Sequence, residues 1–279
     1  MAGERERYLR QQAELGGWEV VLPAPAAADA GRVAEPAPLM EPSPRIESPA
    51  EEGDVGTKGR APAAAGGKWR KGAPTIPEAG LAVRAPDVPL VGDPLAGLDT
   101  LEKVAKRIRS TYCCGLCRAR TNAVPGEGNP KARLVLVGEG PGATEDETGR
   151  PFVGAAGRLL EDILGAVDLA RDDVFICNVV KCRPPQNRKP LPDEIAACIP
   201  YLHRQLAIIR PAVILTLGGT AAEALLGVKQ SLGKLRGRVH SYDGIPLVAT
   251  YHPAALLRNP DWKKPTWDDV RIARQLLER

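Results

Sequence analysis

Short apolar runs alternate with amphipathic segments throughout the second half of the chain. Each run has the length of a strand and is followed by a polar loop rich in glycine or proline. Nearly continuous apolar strands that alternate with helices are typical of a parallel sheet covered on both faces. The pattern therefore predicts a three-layer α/β/α sandwich around a four-stranded parallel sheet. The strands are expected over residues 133–139, 173–180, 212–218 and 245–251.

Helices are expected between these strands, where apolar residues recur with a helical period. The carboxyl ends of parallel strands lie at one edge of a sheet, so the loops that follow the four strands should converge there. That edge is where we expect a binding site. The predicted helices are 98–111, 157–167, one from Pro192 through Ile209 bent at Pro200, a short one capped by Thr220 and ending near Gly227, and 267–277.

The first 95 residues have a different composition. Between Val21 and Leu95, Ala, Pro and Gly contribute 16, 13 and 9 residues, and no hydrophobic period is found. Such a segment buries too little apolar surface to offset the entropy lost on ordering. We therefore predict a disordered extension over 1–95, with a short docking helix or a frayed terminus in its first twenty residues, and a folded domain over 96–279.

Charge divides at the same boundary. Residues 1–95 carry 11 Lys and Arg against 14 Asp and Glu, whereas residues 96–279 carry 27 against 20. A basic folded half favours a polyanionic partner. Neither an apolar run long enough to span a membrane nor a secretory signal is found, so we expect a cytoplasmic protein without a membrane partner.

The cysteines suggest a metal centre. In a reducing compartment six cysteines indicate metal ligation or core filling rather than disulfides. One C-x2-C pair and two further cysteines separated by fifteen residues suit either tetrahedral zinc or a [4Fe–4S] cluster, and spacing does not separate the two. Unrelated buried cysteines are the alternative. Cys177 is expected in the core, and Cys113 could replace Cys114. The candidate ligands are Cys114, Cys117, Cys182 and Cys198.

The loop after the first strand, GEGPGATEDETGRPFVGAAGRLL over 138–160, is the most informative stretch. Glycine allows the backbone to approach a ligand closely. Phe152 lies between proline and glycine residues in this loop, which suggests a stacking platform for a flat ligand. Glu145 and Asp146 are expected to cap backbone amides.

This loop, together with NVVKCRPPQNRKP, the cysteine spacing, LRGRVH and TYHPAALLRNP, resembles the family-4 uracil-DNA glycosylases, which carry iron and sulfur. The resemblance covers the folded half in family order. It implies an enzyme that hydrolyses the N-glycosidic bond of uracil in DNA and leaves an abasic site without lyase chemistry, as in base excision repair. It also implies a structural [4Fe–4S] cluster held by the four candidate cysteines.

The resemblance assigns roles within the uracil pocket. Phe152 would stack on the flipped base, and Asn178 would read its edge, since an amide offers both a donor and an acceptor. His252 would donate a hydrogen bond to uracil O2 as the leaving group gains charge. His203 and His240 fall outside the loops and are expected to be structural.

Other pocket residues would handle the attacking water. Glu139 is the carboxylate expected to orient or activate it, beside Gly140, whose position holds an aspartate in other branches. Asn187 matches a second asparagine associated with catalysis.

DNA contacts are expected from basic side chains at the same edge and from a wedge after His252. The candidates for phosphate contacts are Arg183, Arg188, Lys189, Arg236 and Arg238, and those for the wedge are Leu256, Leu257 and Arg258. Uracil-containing DNA is the expected partner of a monomer, and the extension could dock a repair or replication protein.

Three other functions are weighed against this one. A uracil-DNA cross-linking relative would carry a basic loop ending in histidine after the second strand, and CRPPQNRKP has none. A non-catalytic iron–sulfur or zinc module that binds DNA is disfavoured by Asn178 and His252 beside Phe152. Phosphoryl chemistry ranks last because GEGPG lacks the lysine and the serine or threonine of a P-loop.

Overall fold

The computed structural model of the protein describes residues 67–86, Leu95 and 97–279. In this part of the chain seven strands form one mixed sheet. They are β1 (Ala79–Val83), β2 (Glu127–Gly128), β3 (Leu134–Gly138), β4 (Phe175–Asn178), β5 (Val213–Leu217), β6 (Val239–Tyr242) and β7 (Ile245–Thr250). Their order across the sheet is β1–β6–β7–β5–β3–β4–β2.

The four predicted strands form the centre of this sheet, and the expected α/β fold is confirmed. β4, β3, β5 and β7 are neighbours and run parallel, with Val137 paired to Cys177 on one side and to Thr216 on the other. All residues of β3 and β5 are buried, as expected for strands covered on both faces. The prediction of four strands was incomplete, because β1, β2 and β6 extend the sheet at its edges.

The expected helices are present, together with four short ones. The α-helices of the described residues are α1 (Leu101–Ser110), α2 (Leu116–Ala119), α3 (Ala143–Thr148), α4 (Ala155–Ala166), α5 (Pro192–Ile209), α6 (Gly219–Leu226), α7 (Leu232–Leu235), α8 (Pro253–Arg258) and α9 (Lys263–Leu276). Thr220 lies inside α6, whose N-cap is Gly218, so the predicted cap was wrong by two residues.

Alternate residues of the central strands face the two helical layers. Val135 and Val137 of β3 join the core that also contains side chains of α5 and α6. Leu134 and Leu136 join the other core, with side chains of α4 and α9. The sheet is therefore covered on both faces, and the loops at its carboxyl edge are held between two packed layers.

Part of the predicted disordered extension belongs to this fold, so that prediction was wrong for residues 67–86. β1 pairs with β6, and the Trp69 side chain is 2% exposed. Gln275 Nε2 of α9 donates a hydrogen bond to Pro74 O. The segment is ordered by contacts with distant parts of the chain, which its composition does not show. Apart from Leu95, the rest of the predicted extension, including the docking helix or frayed terminus of its first twenty residues, lies outside the described residues.

Among the described helices, none combines the length and the apolar character that crossing a membrane requires.

Candidate active site

A cleft of ≈ 550 Å³ opens at the carboxyl ends of the central strands. Each of the four strands contributes a side chain or glycine at its end, as the predicted convergence of the loops required. The residues lining this cleft include Glu139 and Gly140 after β3, Asn178 at the end of β4, Gly218 after β5, and Tyr251 and His252 after β7. Phe152, Asn187, Arg188, Arg258 and Trp262 complete its polar and aromatic wall.

Phe152 is held at the cleft by a strained loop. Its φ of 51° lies in the left-handed region, which a bulky side chain rarely adopts. Arg171 Nη1 donates a 2.9 Å hydrogen bond to the Phe152 carbonyl. A Cβ on Gly157 would lie 1.9 Å from that carbonyl oxygen, so glycine is required there. The ring lies 5.4 Å from the His252 ring, centroid to centroid. The loop therefore presents a fixed aromatic face to the cleft.

Asn178 places a buried hydrogen-bond acceptor at the cleft. The residue is 1% exposed, and its Oδ1 is a buried acceptor without a hydrogen-bond partner among the described residues. Such an atom costs about 1–3 kcal/mol unless something binds it. A Cβ on Gly138 would come within 2.3 Å of Oδ1 and 2.7 Å of Phe152 Cζ, so Gly138 leaves room for both.

The backbone of Asn178 is fixed from behind by a buried lysine. Lys181 Nζ donates 2.7 Å hydrogen bonds to Asn178 O and to Gln205 Oε1. Desolvation lowers the pKa of Lys181. Lys181 Nζ is thus engaged in hydrogen bonds behind Asn178, and Lys181 does not line the cleft.

His252 is presented as a neutral donor. It is the N-cap of α8, and its Nδ1 accepts a 3.2 Å hydrogen bond from the Ala254 amide. Burial, followed by the nearby Arg258 charge, lowers the pKa of His252 to about 4, although Glu145 opposes the shift. With Nδ1 as acceptor, the proton of the neutral ring lies on Nε2.

Glu139 is positioned by Thr220, which the sequence predicted only as a helix cap. Thr220 Oγ1 of α6 donates a 2.5 Å hydrogen bond to Glu139 Oε2. Oε1 takes no partner among the described residues and is available to a water molecule. A Cβ on Gly140 would lie 2.7 Å from Val180 Cγ2, so the position beside Glu139 accommodates little more than glycine.

Glu145 and Asp146 bind backbone amides, as predicted. Glu145 Oε1 accepts hydrogen bonds from the amides of Val153 and Gly154, at 3.0 and 2.9 Å. Asp146 Oδ1 accepts from the Thr121 amide at 3.0 Å. Both carboxylates hold the loop that carries Phe152.

The loop after β4 brings Asn187 to the rim of the cleft. Asn187 is exposed, has a φ of 56°, and accepts a 2.8 Å hydrogen bond on Oδ1 from Arg183 Nε. Arg188 forms a bidentate pair with Glu194, at 2.6 and 2.8 Å. Asn187 and Arg183 are therefore near the cleft, whereas the Arg188 guanidinium is neutralised by Glu194.

Five cysteine sulfurs gather away from the cleft, at the start of α2 and around α5. Cys117 Sγ lies 3.9 Å from Cys114 Sγ and 3.7 Å from Cys182 Sγ. The sulfurs of Cys113, Cys114 and Cys198 lie within 4.8 Å of one another. All four predicted ligands are thus together, with Cys113 equally close. Cys177 is fully buried in β4 and packs in the core, as predicted.

This set of donors fits a soft metal centre. Thiolates prefer zinc and iron–sulfur clusters among biological metals. Burial raises the pKa of the Cys182 thiol to about 12, despite a 3.1 Å hydrogen bond from Arg120 Nη1. A bound metal would stabilise the thiolate form that this burial disfavours. The cysteines can therefore hold a metal.

Comparison with known proteins decides the family. The sequence profile of the Uracil DNA glycosylase superfamily matches residues 125–273, more than half of the chain. The Type-4 uracil-DNA glycosylase of Sulfurisphaera tokodaii is 47% identical over 188 residues, which cover 64% of this chain and 86% of that protein. The chain belongs to the type-4 uracil-DNA glycosylases.

Two further relatives agree with this placement. The Type-4 uracil-DNA glycosylase of Thermotoga maritima is 45% identical over 185 residues, covering 65% of this chain and 96% of that protein. The Type-5 uracil-DNA glycosylase of Thermus thermophilus is 37% identical over 149 residues, covering 46% and 68%. Identity is higher and coverage longer for the type-4 proteins.

Two predicted DNA contacts of this type-4 chain need correction. Arg236 Nε donates to Asp269 Oδ2 at 2.7 Å, and its side chain is 15% exposed, so it is committed to the interior rather than to phosphate. Leu256 is 1% exposed and lies on the buried side of α8, so it is not available as a wedge. The neighbouring Leu257 is 51% exposed, and Arg258 is exposed at the cleft rim. The helical phase of α8, invisible in the sequence, decides between the two leucines.

Proposed function

We propose that this chain hydrolyses the N-glycosidic bond of uracil in DNA, releasing the base and leaving an abasic site. One observation carries the proposal: Asn178 Oδ1, beside the Phe152 ring, is buried and has no hydrogen-bond partner among the described residues. A flat base with an N–H on its edge would stack on the ring and donate a hydrogen bond to this acceptor. Family membership supports the same substrate, and the neutral His252 supports the same chemistry.

Recognition begins with extrusion of the nucleotide from the duplex, since the target atom is inaccessible within the stack. The Phe152 ring stacks on the extruded base. Asn178 accepts the uracil N3–H and can donate to O4. Cytosine presents an unprotonated N3 and an amino group at the corresponding atoms, so Asn178 would leave its acceptor unpaired there. The unpaired buried acceptor is the source of specificity.

Bond cleavage places negative charge on the departing uracil and positive charge on the sugar. His252 Nε2–H donates to uracil O2, and donors aimed at a developing oxyanion are worth about 2.7–4 kcal/mol each. Glu139, held by Thr220, orients the attacking water through its remaining oxygen and stabilises the sugar cation. Asn187 also lines the cleft, where its amide can hold the same water or the flanking phosphate.

Lyase chemistry would require an amine nucleophile in this cleft. None of the described residues lining it is a lysine. Lys181, three residues after Asn178, is 1% exposed and donates to Asn178 O and Gln205 Oε1. A Schiff base with the abasic sugar is therefore not expected, and the enzyme should be monofunctional.

The metal centre is proposed to be a [4Fe–4S] cluster on Cys114, Cys117, Cys182 and Cys198. It would tie α1 and α2 to the loop after β4 and to α5, restricting the unfolded chain as other metal clips do. Zinc suits the same donors, so metal analysis decides between them. About four irons per chain are expected, retained in Cys113→Ser and lost in Cys117→Ser. Stoichiometric zinc, or iron loss in Cys113→Ser, would contradict the assignment.

DNA would bind across the cleft mouth. Arg183 and Arg258 are the basic candidates near it that form no ion pair with a carboxylate of the described residues, whereas Arg188 is paired with Glu194. Leu257 is the proposed wedge. Phosphate contacts of this kind supply affinity without sequence recognition. A monomeric state and docking of a repair protein through the N-terminal extension remain predictions.

The test is incubation of the pure protein with an end-labelled oligonucleotide that contains one uracil, followed by alkali. Strand scission at the uracil, abolished in Asn178→Ala, is expected. A gel shift without scission would instead indicate a binding module. A protein–DNA adduct that survives denaturation would indicate the cross-linking activity.

A further inference from the structure

An exposed tryptophan lies at the rim of the cleft without a role in the chemistry above. Trp262 is 37% exposed and lines the cleft beside Tyr251. The two rings are stacked, with centroids 4.6 Å apart and planes 10° from parallel. The Arg236 guanidinium lies over the Tyr251 ring at 4.4 Å. Arginine, tyrosine and tryptophan thus form a column whose last member faces solvent.

The base of this column is fixed in the protein interior. Arg236 is paired with Asp269, and Arg236 Nη2 donates to Pro265 O at 2.8 Å. Asp269 Oδ2 also accepts a 2.7 Å hydrogen bond from Thr250 Oγ1. Thr266 Oγ1 donates to Trp262 O at 2.8 Å. The indole is therefore oriented before any ligand arrives, so little side-chain entropy remains to be lost on binding.

The surroundings of Trp262 are apolar and basic. Leu257 is 51% exposed on α8, followed by the exposed Arg258. Lys263 and Lys264 are exposed directly after the tryptophan and take no ion-pair partner within the described ranges. Asp261 is the single carboxylate of this short stretch. An aromatic face beside several cations is the arrangement by which proteins hold unpaired nucleic acid, since rings stack on bases and cations bind phosphates.

We propose that the outer face of Trp262 stacks on an unpaired nucleobase of a DNA strand that lies across the cleft, and so favours single-stranded over duplex DNA. Within a duplex the faces of a base are covered by the bases above and below it. A rigid indole at the rim therefore finds a partner when the flanking base is unstacked, as in a single strand. This inference rests on the proposed function, because it requires DNA to lie across the cleft.

The variants Trp262→Ala, Trp262→Phe and Tyr112→Ala test the proposal. Tyr112 is the matched control, since it is 72% exposed and does not line the cleft. Dissociation constants are measured by fluorescence anisotropy for a uracil-free single strand and for its duplex, with thermal melting to verify folding. Using uracil-free DNA keeps the measurement independent of excision.

Trp262→Ala should weaken binding of the single strand about 10-fold, the effect of losing one stacked base, while duplex affinity changes less than about 2-fold. Trp262→Phe should restore most of the affinity, and Tyr112→Ala should leave it unchanged. Equal losses on both DNAs, or no loss on the single strand, would overturn the inference. If the wild type does not excise uracil but shows this binding pattern, the proposed function is wrong and the stacking role of Trp262 is still supported.

Discussion

Replacing Asn178 with leucine should make the protein more stable and inactive at once. Leucine has nearly the shape of asparagine, so it fills the same space between Gly138 and Phe152 without a buried acceptor. Removing an unsatisfied buried polar atom recovers about 1–3 kcal/mol. For a domain of this size that corresponds to a rise in Tm of about 2–4 °C per kcal/mol. The same change removes the only amide proposed to read uracil.

The loss of activity should be large. Losing hydrogen bonds that a base forms in the transition state costs about 10²–10³-fold in rate, by analogy with a lost oxyanion donor. Thermal unfolding and single-turnover excision of uracil are measured on the same preparations. The opposing signs, a higher Tm with a lower rate, are the signature of a residue retained for binding at the expense of stability.

Asn122→Leu is the matched control for stability. Asn122 is exposed, and its Nδ2 donates to Asp146 O and Glu147 O, both at 2.9 Å. Leucine removes both hydrogen bonds without removing an unsatisfied buried acceptor, so Tm should fall. If Asn178→Leu also lowers Tm by several degrees, its Oδ1 has a partner in solution and the argument from the orphan acceptor fails. If the excision rate persists, Asn178 does not read the base.

Further predictions concern the pocket and the wedge. Because the pKa of His252 is lowered to about 4, the excision rate should not fall near pH 6.5, and a rate midpoint near pH 6.5 would contradict this. Between about pH 6.5 and pH 4 only the unfolded imidazole takes up the proton, so native stability should fall as the pH drops through this range. Gly138→Ala should abolish detectable excision because its Cβ meets Asn178 Oδ1 at 2.3 Å, and wild-type single-turnover rates would refute it. Leu256→Ala should lower the free energy of unfolding by about 2–5 kcal/mol in a denaturant melt, because Leu256 is buried. Leu257→Ala should leave stability unchanged and slow excision from duplex DNA more than from single strands. The reverse result would show that Leu256, not Leu257, is the wedge.

The central sheet could be predicted because its determinants are local. β3, β4, β5 and β7 are apolar runs followed by polar loops, and parallel strands must bring those loops to one edge. β1 could not be found this way. Its five residues, AGLAV, lie in a stretch dominated by Ala, Pro and Gly. They are ordered by pairing with β6, some 160 residues later, and by packing of Leu81 and Val83 against the core.

The site was predictable in its residue types but not in its contacts. Motif resemblance located Glu139, Asn178 and His252, which all line the cleft. The hydrogen bond from Thr220 to Glu139 and the pair between Arg236 and Asp269 join residues 81 and 33 positions apart. No local pattern encodes such partners, so a buried structural arginine and a surface one look alike in sequence.

The most direct test of the account is identification of the released product by chromatography and mass spectrometry. Wild-type protein is incubated with strands that carry one uracil, cytosine or thymine at the same position. We predict one equivalent of free uracil per abasic strand, an intact backbone before alkali, and no base released from the other two strands. Uracil that stays on the strand, or leaves attached to its sugar, would contradict the glycosylase assignment.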